Sequence, residues 1–500
     1  MMTGKVWLVG AGPSDSGLFT LKGKAVLEQA DVVVYDQLVG QGILHMIPAA
    51  ARRVDVGKHA GNHKMQQEDI NQLLLEEAQA GNRVVRLKGG DPFLFGRGGE
   101  ELELLHEHHI PFEIVPGITS ALSVPAYAGI PVTHRDFTAS LHIITGHRKR
   151  GIDTPPDYDK LVALGDVTLV FLMSIGALPD ICQGLIDAGM DPDMPAAVLE
   201  RGTTAAQRRA VGTVTTLPTL AAAAHIGTPG IIIVGRVCTL SEEFHWAEDR
   251  VLGGCRVIIT RPAKKASRLS KDLAMLGAEV IELPSIETVI EPKSSDFMDS
   301  MQVLPSCQWM LFTSETGVDA WFHYLSVYGI DVRKFYQIKI AAVGKTTAKA
   351  LRSHGLMVDY MPDTYSGEAL GHGLLEKLHE GDRIMAYTPN DTVSDAVEIL
   401  KDHGYDCSQT GLYHTEILKQ EPFDLRDDDL VVFTSASTVH GFVKTMENQN
   451  FKLVTAVCIG EQTAKAAHEA GMKVVVSEKA TLDSLVDTVV KKYNKSMLII

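Results

Sequence analysis

Between residues 5 and 147 the chain repeats one pattern: a short, apolar, β-rich run that stops at a glycine, a proline or a charged side chain. The runs are KVWLVG (5–10), DVVVYD (31–36), RVVRLK (83–88), FEIVPG (112–117) and LHIITGH (141–147), with RRVDVGK (52–58) as a weaker sixth. Amphipathic stretches separate them. In DINQLLLEEAQA (69–80), Ile70, Leu73, Leu74 and Ala78 fall close to one helix face. Apolar strands alternating with helices predict an α/β fold with a mostly parallel sheet covered on both sides. Such sheets bind ligands beyond the carboxyl ends of their strands. Residues 10–13, Asp36, Lys58, 89–91, 116–120 and 146–147 all follow a run immediately.

Five hundred residues exceed a single core and predict roughly two to four domains. A net charge of −15 without clustered Lys/Arg blocks argues against nucleic-acid binding. The local basic patches at 52–64 and 146–151 read either as solvated loops or as a pocket for an anionic small molecule. Six cysteines with no C-x-x-C suggest reduced thiols in a cytoplasmic protein. No run approaches the ~18–20 apolar residues of a membrane span, and the N-terminus does not read as a signal peptide. In HEHH (106–109) the consecutive side chains point apart on a helix, so no metal is expected.

A second α/β unit runs from about 138 to 245, with strands at TLVFLMS (168–174), PAAVLERG (195–202) and IIIVGRV (231–237). The charged segment 239–254, ending Gly-Gly, reads as a linker. Beyond it lies an internal repeat. FTSETGVDAWF (312–322) returns as FTSASTVHGFV (433–443), and VGKTTAKALRSHG (343–355) as IGEQTAKAAHEAG (459–471). This half is therefore a duplicated βα unit with two similar lobes. Thr313-Ser314 and Thr434-Ser435 are either helix N-caps or anion seats facing a shared cleft.

The densest glycine cluster is VRLKGGDPFLFGRGGEE (85–101). No G-x-x-x-x-G-K-[ST] loop exists, and GAGPSDSG (10–17) lacks the G-x-G-x-x-G spacing of a dinucleotide site. Asp91, held extended before Pro92, forms with Gly89 and Gly90 a turn that offers amides, carbonyls and one carboxylate. That set suits a zwitterion bearing hydroxyls better than a triphosphate.

Taken together, VGAGPSDSGLFTLKG, ADVVVYDQLV, VGKHAG, VVRLKGGDPFLFGRGGEE, PGITSA, AGIPVTHRD and TGH resemble uroporphyrinogen-III C-methyltransferase, of the tetrapyrrole methylase family, over nearly all of residues 3–248. The repeat half, with TRP, FTS and a twice-used G-x-x-T-A-x-x-x-x-x-x-G, resembles uroporphyrinogen-III synthase over about 254–495. The fold implied is a two-lobed tetrapyrrole methylase over 1–250 (lobes about 1–136 and 137–250). A bilobal, duplicated, flavodoxin-like synthase follows over 254–500. Its lobe one would be about 254–288 plus 417–500 and its lobe two about 289–416, with crossing strands near IETVIEP and YHTEILK.

The resemblance implies that the C-terminal half closes hydroxymethylbilane to uroporphyrinogen III with inversion of the last ring. The N-terminal half would then transfer two methyl groups from S-adenosyl-L-methionine to give precorrin-2. Cofactor positions carried over are Pro13, Gly89, Gly90, Asp91, Leu94, Thr119, Ser120, Met173 and Gly202. Asp36 matches a proposed base and Lys58 a proton donor; their plain alternatives are a helix N-cap and a surface lysine. Arg97, His134, Arg135 and Arg148 are candidates for the polyacidic substrate, with pairing to Glu100 or Glu101 as the alternative for Arg97. In the synthase, Tyr413, Thr347 and Thr463 match positions associated with catalysis or substrate, and Thr313, Ser314, Thr434 and Ser435 are expected to line its cleft. A homodimer through the methyltransferase half is expected. The alternatives are methylation of a later corrinoid precursor and a noncatalytic, ligand-sensing C-terminal half.

Overall fold

The computed structural model describes residues 4–57, 65–146, 155–261, 263–390, 393–418 and 420–497. Among these, the strands form four five-stranded sheets. The first contains β1 (Lys5–Gly10), β2 (Val32–Tyr35), β3 (Arg52–Asp55), β4 (Arg83–Lys88) and β5 (Phe112–Val115) in the order β3-β2-β4-β1-β5. All its pairings are parallel. Side chains alternate between two cores: Val6, Leu8, Val32, Val34 and Val84 pack on one face, and Val9, Val33, Val85 and Leu87 on the other. The helix Gln67–Gln79 covers the first face through Ile70, Leu74 and Ala78, with Leu105 of the helix Gly98–Glu107 beside it.

The second sheet contains β6 (Ser140–Thr145), β7 (Val167–Leu172), β8 (Pro195–Glu200), β9 (Arg208–Thr213) and β10 (Gly230–Val234), ordered β6-β7-β10-β8-β9. It is mixed: β10 runs antiparallel to β7 and β8, and β9 antiparallel to β8. Strand β9 does not stand out in the sequence, because RRAVGT carries only partly exposed positions.

The expected linker is packed structure. Ser241 is fully buried and its Oγ donates to the Ala128 carbonyl at 3.0 Å. Trp246 Nε1 donates to the Ala126 carbonyl at 2.8 Å, and its ring meets Tyr127 edge-on. Glu242 and Glu248 both pair with Arg209. Several charges of this segment are thus ion-pair partners.

The third sheet joins distant parts of the chain: β11 (Arg256–Ile259), β12 (Glu279–Glu282), β18 (Leu430–Phe433), β19 (Thr455–Cys458) and β20 (Lys473–Val476), all parallel, ordered β12-β11-β18-β19-β20. A buried pair, Arg256 with Asp429 at 2.5 Å, ties β11 to the turn before β18. The fourth sheet holds β13 (Ile286–Val289), β14 (Trp309–Phe312), β15 (Lys339–Ala342), β16 (Arg383–Pro389) and β17 (Asp406–Ile417), ordered β13-β17-β16-β14-β15. Only β13 is antiparallel, to β17. Both sheets contain the 2-1-3-4 order of doubly wound folds.

The chain divides into two compact units. One comprises Met1–Leu283, Phe423–Val439 and Met446–Ile500, the other Pro284–Pro422 and His440–Thr445. The strands β13 and β17 belong wholly to the second unit.

Candidate active sites

Three neighbouring strands of the first sheet end in glycine-bearing loops, and the loops touch through bare backbone. Gly12 and Gly90 exchange amide bonds of 3.1 and 2.8 Å, and Ala11 N donates to the Lys88 carbonyl at 2.7 Å. A side chain at Gly10 would fall onto Gly117, and one at Gly117 onto the Gly90 carbonyl. Glycine is required there by close approach. At Gly90 (φ +69°) a Cβ would instead point into open space, its nearest neighbour being Ser120 N at 4.0 Å. Ser120 opens the helix Ser120–Tyr127, capped by Thr119 Oγ1, which accepts from Ala121 N at 3.3 Å.

Asp91 binds this junction together: Oδ1 accepts from Phe93 N at 2.8 Å and Oδ2 from Gly117 N at 3.0 Å. Each oxygen keeps acceptor capacity. Gly202 packs on the same helix, where any side chain would strike Val124. Next to it, Thr203 Oγ1 donates to the Pro13 carbonyl at 2.9 Å. Leu94 rests on the core that contains Ala121 and Val124. Pro13, Gly90, Asp91, Leu94, Thr119, Ser120 and Gly202 thus belong to one connected contact set, and Gly89 abuts Leu38 at its edge. Met173 stands at the end of β7 with its side chain exposed. Left-handed backbone at Phe95 (φ +53°), Arg97 (+57°), Arg201 (+47°) and Thr203 (+66°) falls in these loops, as strained residues do at binding sites.

Asp36 ends β2, the next strand along. Its Oδ1 accepts from Leu38 N at 3.1 Å, and Oδ2 lies 3.5 Å from Arg86 Nη2. It is not a helix N-cap, since Gly40 occupies that position for the helix Gln41–Leu44. Behind it lies a charge network that sequence reasoning missed. β4 places Val84, Arg86 and Lys88 on one face. There Glu101 Oε1 accepts from Lys88 Nζ at 2.7 Å, Arg86 Nε at 3.2 Å and Gln67 Nε2 at 3.2 Å. Arg86, Lys88 and Glu101 are all buried. Burial, and then the Arg86 charge, push the Lys88 ammonium below its ordinary pKa, while Glu101 works the other way. Charges at alternate positions of an apolar strand were the available signal.

The substrate candidates fare differently. Arg97 is bidentate to Glu100, at 2.9 and 2.5 Å, so its charge is matched within its own helix turn. His134 Nδ1 accepts from Asp136 N at 3.2 Å and its ring stacks on Phe137, while Arg135 is exposed. Lys58 and Arg148 lie outside the described residues.

In the second unit, Ser314 Oγ and Tyr413 Oη are 2.8 Å apart, and Ser314 also caps its helix by accepting from Gly317 N at 2.9 Å. Burial raises the Tyr413 pKa above its ordinary value, with the Ser314 bond opposing. Thr313 Oγ1 lies 3.4 Å from the Tyr387 carbonyl. In the first unit, Thr434 is half-buried after β18, and Ser435 Oγ accepts from Thr438 N at 3.3 Å. Thr347 and Thr463 are both buried, at 1% and 4% exposure, in the first turns of the helices Lys345–Ser353 and Glu461–Glu469. The T-A pattern they share marks the packed face of a helix.

Comparison with known proteins matches both halves. The family model described as Tetrapyrrole (Corrin/Porphyrin) Methylases covers residues 5–218, and that described as Uroporphyrinogen-III synthase HemD covers residues 267–487. The porphyrin biosynthesis protein HemD of Ruminiclostridium josui is 44% identical over 493 residues, 97% of this chain and 98% of that protein. This chain belongs to the family of tetrapyrrole methylases fused to a uroporphyrinogen-III synthase. Siroheme synthase 2 of Cronobacter sakazakii is 53% identical over 247 residues, 49% of this chain and 53% of that protein, so the match spans about half of the siroheme synthase. Among solved structures, uroporphyrin-III C-methyltransferase from Thermus thermophilus, complexed with S-adenyl homocysteine, is 38% identical and covers 47% of this chain and 100% of that chain, with a TM-score of 0.42. The fusion carries both a methyltransferase and a synthase domain, and no helix among the described residues is long and apolar enough to cross a membrane.

Proposed function

We propose that the synthase half closes hydroxymethylbilane to uroporphyrinogen III and that the methylase half methylates this product twice, to precorrin-2, with S-adenosylmethionine as donor. The observation that carries the methyltransferase reading is the backbone junction of Gly10, Gly90 and Gly117 beside Asp91 and Ser120. It leaves room for a ligand at Gly90 and sets a carboxylate next to a helix N-terminus. Asp91 would meet the donor's ammonium or ribose hydroxyls, and the first-turn amides at Ser120 suit its carboxylate. Pro13, Leu94, Met173 and Gly202 would complete the walls.

When bound, the donor supplies an electrophilic methyl group carried on a sulfonium. The pyrrole carbon that accepts it needs alignment above all, worth about 7–11 kcal/mol in comparable intramolecular reactions, and must afterwards lose a proton. Asp36 stands at the neighbouring strand end, fixed by Leu38 N and Arg86, where it serves as proton acceptor. Lys58 and Arg148 retain their proposed roles as proton donor and carboxylate partner. Arg97 would bind a substrate carboxylate by exchanging Glu100 for it. In the synthase half, Tyr413, protonated at neutral pH like any tyrosine, would donate its proton to the departing hydroxyl, which leaves as water, and regain one from the proton lost as the macrocycle closes, with Ser314 as its hydrogen-bond partner. A homodimer through the methylase half completes this reading, with the exposed apolar side chains of Leu21, Leu38, Phe93 and Phe95 available to be buried in it.

One incubation tests both halves: purified protein with hydroxymethylbilane and S-adenosylmethionine should develop a dipyrrocorphin absorption spectrum. Uroporphyrinogen I as the sole cyclic product, with no methylated species, would overturn the reading. Asp36→Ala should lower methyl transfer by about 10²–10⁴-fold while calorimetric affinity for the donor stays near wild type. Lost donor binding would remove Asp36 from the chemistry.

A further inference from the structure

The methylase and the third sheet lie in the same compact unit, and the third sheet reaches one of the two loops assigned above to the methyl donor directly and the other through the helix Gln41–Leu44. The first loop is 201–207. It carries left-handed backbone at Arg201 and Thr203 on either side of Gly202, conformations that persist only where surroundings enforce them. Several bonds hold it from within the methylase. Thr203 Oγ1 reaches the Pro13 carbonyl, Thr203 N donates to Gln207 Oε1 at 2.8 Å, and Gln207 Nε2 donates to the Tyr127 carbonyl at 3.3 Å. One comes from the synthase half: Ala205 N donates to Glu279 Oε2, on β12, at 2.8 Å. Glu279 is itself 3.8 Å from Arg426.

The second loop is 13–16, whose Ser14 has a φ of +119°. It leans on the segment entering the helix Gln41–Leu44: a side chain at Gly40 would strike the Ser14 backbone, and one at Gly42 would sit 3.5 Å from Ser16 Cβ. The other side of Gly42 faces the Val280 carbonyl of β12, 3.3 Å from where its Cβ would lie, and the helix packs along that strand. Nearby, His45 meets Phe423 edge-on at 5.5 Å, and Arg250 Nη2 donates to the Ala274 and Met275 carbonyls at 2.7 and 2.6 Å. β12 is an edge strand of its sheet, and this face of the methylase covers it, as exposed edges generally need to be covered.

We infer that β12 of the synthase half is a structural part of the methyltransferase: Glu279 is a positioning residue that holds loop 201–207, and through it Gly202, in the geometry that receives the methyl donor. The inference rests on the reading of Gly202 and Pro13 as donor contacts. In this chain methyl-donor affinity is therefore set partly by a residue that touches neither donor nor tetrapyrrole.

The test uses full-length protein titrated calorimetrically with S-adenosylmethionine, as wild type, Glu279→Ala and Glu279→Gln. Loss of a charged acceptor should raise Kd about tenfold in Glu279→Ala, whereas Glu279→Gln, which keeps a carbonyl acceptor, should recover most of the affinity. The KM for donor should rise in parallel, with kcat at saturating donor and hydroxymethylbilane cyclisation both unchanged. Wild-type protein that binds no donor would sink the underlying cofactor reading. Wild-type binding together with an unchanged Kd in Glu279→Ala overturns this inference alone. Should Glu279→Ala fail to fold, hydrogen exchange of wild-type protein decides: a protected Ala205 amide supports the clamp, and an unprotected one overturns it.

Discussion

Glu101 shows how one residue can hold an element and a site together. It has no exposed surface, and its Oε1 gathers Arg86, Lys88 and Gln67, while Oε2 has no hydrogen-bond partner among the described residues. Glu101→Gln keeps the shape and removes the charge that compensates two buried cations. Breaking a buried ionic group from one side costs about 3–5 kcal/mol. A urea titration should therefore show a lower midpoint with an unchanged m-value, and a loss under about 1 kcal/mol would mean that Asp36 and solvent already balance the cations. The same scale shows what sequence could not settle. Which glutamate would pair with Arg97 was open because two lie within one helical turn of it, and the structure selects Glu100. The burial of Thr347 and Thr463 was equally illegible, because a hydroxyl on the buried face of an amphipathic helix is spelled the same way as one facing a ligand.

At the scale of elements, legibility followed burial. β1, β2 and β4 are largely buried and announce themselves, whereas β9 is partly exposed along most of its length and β10 gives no hint of its antiparallel direction. Direction is decided by which neighbours a strand finds, and periodicity carries no record of that. The glycine loops were legible as unusual backbone, but their partner was not: the cluster in 85–101 predicted a cradle, and the fold adds that Gly10 and Gly117 lie backbone to backbone beneath it. Gly117→Ala tests this junction. Its methyl group would fall onto the Gly90 carbonyl, so the β5 loop must move, at a cost of about 1–3 kcal/mol, and the Asp91–Gly117 bond moves with it. Donor affinity should drop by more than the stability loss alone predicts, measured by calorimetry on protein shown to be folded. Unchanged affinity would detach the junction from the donor site.

For the whole molecule, the internal repeat was the strongest guide, since two copies of one βα pattern demand two similar sheets. What it left open was where each copy's strands go. The third sheet gathers β11 and β12 with β18 to β20 across more than a hundred residues of intervening chain, a non-local pairing that propensity cannot encode. That same sheet shares a compact unit with both methylase sheets through a packed segment that looked like a linker. Ligand binding to one part of a cooperative body stabilises all of it, by about 2.7 kcal/mol at a hundredfold excess over Kd. Saturating S-adenosylmethionine should therefore slow hydrogen exchange in peptides covering β11 and β18, which have no part in the proposed donor site, as well as in β1 and β4. Protection confined to the first two sheets would show that the methylase opens independently of the synthase strands. The contact at Glu279 would then be local, and the fusion would join two machines without coupling their stability.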